Sequence, residues 1–436
     1  MAVTTDPTGR PQRQLVPLES RGPAAMAIGL VVNGVAAYVF LASAGRALGA
    51  EESGQVSVLW ASLYLVGTGL FLPVEQELSR SIAARRAHGE GYRALVGRVS
   101  WLAAGMWTVL AVAGAALSPL LADTLFRGSY AFVVALLAGV GGVALSFVVR
   151  GLMAGSGRYY RYATFFLADG AVKALPALAL VVVGATSPVA FAIVVSASAF
   201  VGSVASVAPR VPLGDAGPVP AWRPLVSSMG FLVLTALLTA VVLNAGTIAV
   251  EVLADPSEAD AASVFLSGLV IARIPLFMFQ ALQAVVLPRL SHQAAAQDWA
   301  AFGRLVRLLL AGVGGLTVVA VAVSAALGPW AVELLFGDDF VLSARDMALL
   351  TLASMLMMTA MTINQAQIAL HRQHQTGWPW GVAVVVFLAG IALAGDDLLW
   401  RVEAGMVAAG ATVVAVAGAL LAAELRHPEH REATAP

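Results

Sequence analysis

Along nearly the whole chain, apolar stretches of about the length that crosses a bilayer, roughly 20 residues, alternate with short polar segments. Read by hydropathy, the stretches fall near 24–43, 56–72, 100–121, 130–149, 163–183, 188–207, 225–249, 262–287, 308–328, 344–365, 379–395 and 402–423. With no water in hydrocarbon to satisfy backbone polar groups, segments of this length and composition must be helices. The pattern predicts an all-α polytopic membrane protein of about twelve transmembrane helices.

Repetition divides these helices into two sets. Ala116-Leu117-Ser118-Pro119 through Asp123-Thr124-Leu125-Phe126 is echoed 210 residues later by Ala326-Leu327-Gly328-Pro329 through Glu333-Leu334-Leu335-Phe336. Arg80 and Arg289 close the second and eighth helices at nearly the same offset, and Arg98 and Arg307 open the third and ninth. Two six-helix halves of the same in-out sense imply a parallel repeat about a pseudo-twofold axis along the membrane normal. The expected organisation is an N-terminal tail (1–23), a first bundle (24–209), a polar Pro-rich linker (210–223), a second bundle (224–423) and a C-terminal tail (424–436).

Charge then orients the helices. Of 25 basic residues, 19 fall on one side: Arg10, Arg13, Arg21, Arg80, Arg85, Arg86, Arg93, Arg98, Arg150, Arg158, Arg161, Arg210, Arg223, Arg289, Arg304, Arg307, Arg372, Arg426 and Arg431. Only 4, Arg46, Arg127, Arg345 and Arg401, fall on the other. Cytoplasmic loops accumulate Arg and Lys, so both termini are expected in the cytosol. Ala42-Ser43-Ala44 could pass for a signal-peptidase site, but its apolar run is longer than a usual signal core, and we read an uncleaved first helix.

Composition narrows the class further. The 436 residues are 59% hydrophobic and 11% charged, against about 25% charged in a soluble domain. Absence of cysteine removes disulfides and thiol chemistry. Net charge is zero, so nucleic acid is not an expected partner. The six His residues, His88, His292, His371, His374, His427 and His430, lie in or beside cytosolic segments without a metal-ligand arrangement, and no metal is expected. No P-loop is present, and no other cofactor is expected.

Candidate chemistry rests on charges inside the spans, read as Asp169, Lys173 and Arg273. Each costs about 2.5–3.5 kcal/mol at the bilayer centre on insertion scales, so each should face a cavity or a partner. Asp169 precedes Lys173 by four residues on the fifth helix, the favourable order for an ion pair. Two readings stand: a structural clamp, or Lys173 as ligand for an anion with Asp169 positioning it or coupling to a proton or sodium ion. Arg273 sits two residues before Pro275, which lacks an N–H and favours a helix kink. Its planar fork suits phosphate, or it satisfies carbonyls freed at the kink. Asn33, Asn244, Gln280, Gln283, Asn364 and Gln365 read as interhelical hydrogen-bonding groups.

Ala272-Arg273-Ile274-Pro275 continuing to Leu287-Pro288-Arg289-Leu290-Ser291 resembles the signature of the multidrug/oligosaccharidyl-lipid/polysaccharide (MOP) exporter superfamily. Leu48-Gly49 to Gly54, Gly151-Leu152 to Arg158 and Leu335-Phe336-Gly337 add to the likeness, which spans essentially the whole chain. Within the superfamily it is most similar to the polysaccharide transporter branch, Wzx-like flippases of lipid-linked oligosaccharides. The resemblance implies a V-shaped, MATE-like pair of bundles, alternating access and a cationic cavity onto which Arg273 maps. Its implied cargo is a polyprenyl-pyrophosphate-linked oligosaccharide carried from the inner to the outer leaflet. Membrane lipids and other polysaccharide-assembly membrane proteins are the implied surroundings.

Two related branches match less well. Cation-coupled drug exporters usually carry a carboxylate in the first helix, and Ala24 to Ser43 has none. Lipid II flippases typically have fourteen helices. A membrane glycosyltransferase or polymerase is the enzymatic alternative, with Glu51-Glu52 as its acidic pair, but it would need a larger outer domain than these short loops supply. A transporter rather than an enzyme is expected.

Overall fold

The computed structural model describes residues 21–208, 213–217, 219, 221–255, 258, 260–276, 290, 293–294, 297–370, 377–395 and 397–426. The tail arginines Arg10, Arg13 and Arg431, together with Arg210, Arg289, Arg372, His292, His371, His374, His427, His430, Gln280, Gln283 and the signature residues 287–289 and 291, lie outside the described residues. Among those described, the regular structure is entirely helical: α1 Arg21–Val66, a π-helical turn Gly67–Phe71, α2 Leu72–Ala87, α3 Arg93–Ala116, α4 Ser118–Leu125, α5 Tyr130–Gly155, α6 Tyr159–Val182, α7 Pro188–Val207, α8 Trp222–Leu253, α9 Ala261–Ala272, α10 Trp299–Phe336, α11 Ala344–Ala369, α12 Gly377–Leu393 and α13 Leu398–Arg426.

Nine described stretches are long and apolar enough to span a membrane, and the shorter apolar helices α9 and α12 accompany them. The first stretch, Ala25–Ala83, covers 59 residues and is two passes joined end to end. Its break is Gly49, at φ 73° and ψ 176°, a backbone state that L side chains rarely adopt. Phe40 and Trp60 stack with ring centroids 5.6 Å apart. Twenty residues of unbroken helix would separate them by about 30 Å, so the chain reverses direction at Gly49. The outer loop expected between the first two helices is therefore little more than one glycine, and among the described residues each of the twelve expected spans has a helix, the eighth described only as far as residue 276.

Both halves use one packing scheme. In the first, α1 packs on α6, α6 on α7, α7 on α5, and α5 on α2 and α3. In the second, α8 packs on α12, α12 on α13, α13 on α11, and α11 on α9 and α10. The sequence repeat is thus a repeat of helix contacts. It differs in one detail: Ser118-Pro119 starts a separate short helix after Leu117, whereas Pro329 sits inside the unbroken α10.

The seam between halves is formed by α1 and the π-helical turn against α8 and α9. Gly69 lies at its centre, where an added Cβ would come 2.9 Å from Leu237 and 3.3 Å from Ala240. Several contacts fasten the end of this seam nearest Gly49. Arg46 donates to the Leu334 and Leu335 carbonyls, Ser263 to the Ala50 carbonyl, and Arg127 to the Glu51 carbonyl at 3.1 Å. Arg127 also pairs with Glu251 at 3.1 Å. Two of the four arginines that charge counting placed in outer loops, Arg46 and Arg127, are therefore cross-half ties, whereas Arg345 and Arg401 bind within the second half.

Candidate functional site

The predicted Asp169–Lys173 pair exists, at 2.6 Å, with Asp169 4% and Lys173 7% exposed. Asn33 of α1 completes it, its amide donating to Asp169 Oδ2 at 2.8 Å while its carbonyl accepts from Lys173 Nζ at 3.4 Å. The close helix approach depends on small residues: a Cβ on Gly202 of α7 would come 2.9 Å from the Asp169 Cβ, and one on Gly170 would come 3.1 Å from Ala36. Asp169 Oδ1 is buried without a hydrogen bond among the described residues. Lys173 Nζ also lies 5.8 Å from the centre of the Trp60 ring. Trp60 stacks on Tyr64 at 4.9 Å.

Arg273 comes from the other half. Helix α9 stops at Ala272 with Arg273 as its C-cap, and residues 274–276 are again helical. Pro275 cannot donate to the Ile271 carbonyl and its ring crowds that group, so the ladder breaks just before it. The helix is interrupted at this point, which makes Arg273 a helix end rather than a mid-helix residue. Half-buried, Arg273 donates to the Leu243 carbonyl and to Asn244 Oδ1 at 3.4 Å, both on α8. Among the described residues no carboxylate pairs with it. Tyr38 fixes the neighbouring turn by donating to the Val270 carbonyl at 2.8 Å.

Tyr64 is the meeting point, lying within electrostatic reach of both Lys173 and Arg273. It is 38% exposed. The two candidate cations thus lie within reach of one tyrosine from opposite halves, one locked in a carboxylate pair and one with no carboxylate partner among the described residues.

Hydropathy reading missed a second buried group. Arg150, taken as a cytosolic loop residue, lies inside α5 and pairs with Glu75 at 2.8 Å. Tyr162 accepts from Arg150 Nε at 3.1 Å and donates to Glu75 Oε1. The guanidinium also lies 4.6 Å from the Phe147 ring centre and 5.3 Å from that of Phe166. Tyr162, Phe166, Asp169 and Lys173 recur at helical spacing along one stripe of α6. That spacing was the available signal. Hydropathy alone ends the second span near 72 because Glu75 and Glu77 follow, although both are buried.

A further charge in a span, Glu403, was also passed over at the margin of 402–423; it is 0% exposed. Among the described residues no group of three or more His, Cys, Asp or Glu is placed to hold a metal ion.

No family model matches the sequence. Over 393 residues, 86% of each chain, it is 24% identical to an uncharacterized protein of Mycobacterium tuberculosis H37Rv. A second uncharacterized protein of that strain is 26% identical over 341 residues, 74% of each chain. Among solved structures, the inward-facing conformation of a multidrug resistance MATE family transporter of the MOP superfamily superposes with TM-score 0.72 at 13% identity, covering 94% of this chain and 100% of that one. The outward-facing conformation of a transporter so described gives 0.65 at 14% identity, covering 93% and 95%. A MOP superfamily transporter from Pyrococcus furiosus, described as having a binding pocket of reverse polarity, gives 0.65 at 13% identity over 93% and 96%. The fold is that of the MATE transporters.

Proposed function

We propose that the chain is a flippase of the MOP type, moving a polyprenyl-pyrophosphate-linked oligosaccharide from the inner to the outer leaflet of a bacterial plasma membrane by alternating access. The observation that carries this reading is Arg273, a half-buried guanidinium at the seam between halves with no acidic partner among the described residues. Such a group is stabilised by an anion entering the seam. With Asp169 and Lys173 cancelling, the site keeps one net positive charge, which favours pyrophosphate over a cationic drug. Lys173 becomes a second phosphate ligand only when its tie to Asp169 loosens as the halves move. The polyprenyl chain remains in lipid between helices, and the released product passes to the proteins that assemble surface polysaccharide.

A sealed outer seam supports a cycle that loads cargo from the cytosolic leaflet, with both termini on that side. The higher TM-score to an inward-facing structure agrees with this direction. Proton- or sodium-coupled drug export is the second reading, favoured by the unpartnered Asp169 Oδ1 and by the multidrug description of the fold neighbours.

The test is mass spectrometry of polyprenyl-linked saccharides from cells lacking the gene, cells complemented with it and cells complemented with R273A, with leaflet location read by an impermeant probe. The expected result is a completed oligosaccharide lipid held in the inner leaflet without the gene and with R273A. No accumulation in the deletion strain would overturn the reading.

A further inference from the structure

At the outer end of the second half, α13 begins with a graded set of carboxylates. Asp397 and Arg345 pair at 3.0 Å with side chains each 50% exposed. Arg345 pairs equally with Asp346, whose side chain is 8% exposed. Deeper still is Glu403, fully buried, with neither carboxylate oxygen hydrogen-bonded among the described residues. Asp346, Arg345 and Asp397 are the charges it senses.

Among the described residues, the helices packed against α13 supply no other neutralising group. Helix α12 has no titratable residue, and α11 carries only Arg345 and Asp346. On α8, Arg223 lies at the opposite end and Glu251 is held by Arg127. On α13 itself, Arg401 donates to the Ile391 carbonyl at 2.8 Å, while Glu424 and Arg426 lie at the far end; Asp396 is outside the described residues. Arg345 is already shared by two acids. An ionised carboxylate without partner or water is among the most costly groups to bury, and such groups neutralise instead.

We infer that Glu403 is a proton-binding site of the second half, filled from the outer solution past Asp397 and Asp346. The step is uptake of one proton by one carboxylate oxygen and its return to water, with no other bond made or broken. A metal cation fits the place less well. It needs six or more oxygens in the case of calcium or magnesium, whereas no acidic cluster of metal-binding geometry exists among the described residues and Arg345 puts a positive charge beside the site.

The experiment is infrared difference spectroscopy of the full chain in phospholipid nanodiscs during a pH titration, in wild type, E403Q and R345Q. Wild type is expected to show a protonated-carboxyl C=O band at neutral pH that disappears on alkalinisation, and E403Q to lack it. Because Arg345 is half exposed, R345Q tests the assignment without disturbing the core: it is expected to move the pH at which the band disappears. Exchange of sodium for choline at fixed pH is expected to leave the band unchanged. The inference is overturned by absence of the band in wild type, its persistence in folded E403Q, an unmoved titration in R345Q, or its removal by sodium. None of these readouts uses a cargo, so the result is independent of the flippase proposal.

Discussion

The two halves share a helix-packing scheme but treat buried charge in opposite ways. In the first half the two cations that the α6 stripe gathers both have acids: Arg150 has Glu75, and Lys173 has Asp169. In the second, Arg273 has only amide and carbonyl oxygens, and Glu403 has no hydrogen bond at all among the described residues. Duplication therefore explains the scaffold, while chemistry has diverged on it. Paired charges make the α6 stripe a fixed frame, and unpaired ones leave the second half with groups whose energy changes when an anion or a proton arrives.

The largest way to break this contrast is to unpair a charge in the first half. Asp169→Ala strands Lys173 in the core and should cost about 3–5 kcal/mol, the range for breaking a buried pair. Thermal unfolding in detergent would show it, and the double change Asp169→Leu with Lys173→Met should recover most of the loss. A double variant as unstable as the single one would mean that the pair does more than balance charge.

Removing a charge in the second half should act on transport instead. Arg273→Ala is expected to leave unfolding nearly unchanged and to lower flipping on the order of ten- to a hundredfold, the worth of a hydrogen bond to a charged group at about 1.5–3 kcal/mol. Equal losses of stability and transport would make Arg273 a packing residue.

Smaller effects sharpen the comparison at the seam and at the surface. Arg127→Ala removes a partly exposed cross-half tie worth up to about 1 kcal/mol, and should raise the outward-open population roughly fivefold. Thiol labelling can read this cleanly, since any introduced cysteine is the only one in the chain.

The smallest effect concerns Asp397, which caps α13 by accepting the Trp400 N–H at 3.0 Å. That bond, and then Arg345, hold its carboxyl below the ordinary Asp value. A depressed acid stabilises the fold above its unfolded value of about 3.9, and the gain is lost as pH falls through the folded value. Asp397→Ala should cost about 1 kcal/mol at neutral pH, with the gap to wild type closing in acid.

Much of this architecture was readable from hydropathy, because a lipid-spanning helix must be apolar whatever it packs against. The Asp169–Lys173 pair was readable because both partners lie on one helix at a fixed spacing. Glu75 and Arg150 were not, since their partnership joins α2 to α5, and a polar residue at a span's edge looks the same whether it meets water or another helix. Glu403 escaped for the same reason. Arg273 was visible from the adjoining Pro275, yet its lack of an acid depends on what α8 presents to it.

Gly69 sets a limit on what can be done to this molecule. With backbone and methyl groups of α8 so near, any side chain there would act as a wedge between the moving parts, and a bulky residue should jam the cycle while each half still folds. A single glycine thereby offers a way to arrest the machine in one posture, without touching a charge, so that cargo can be caught in place.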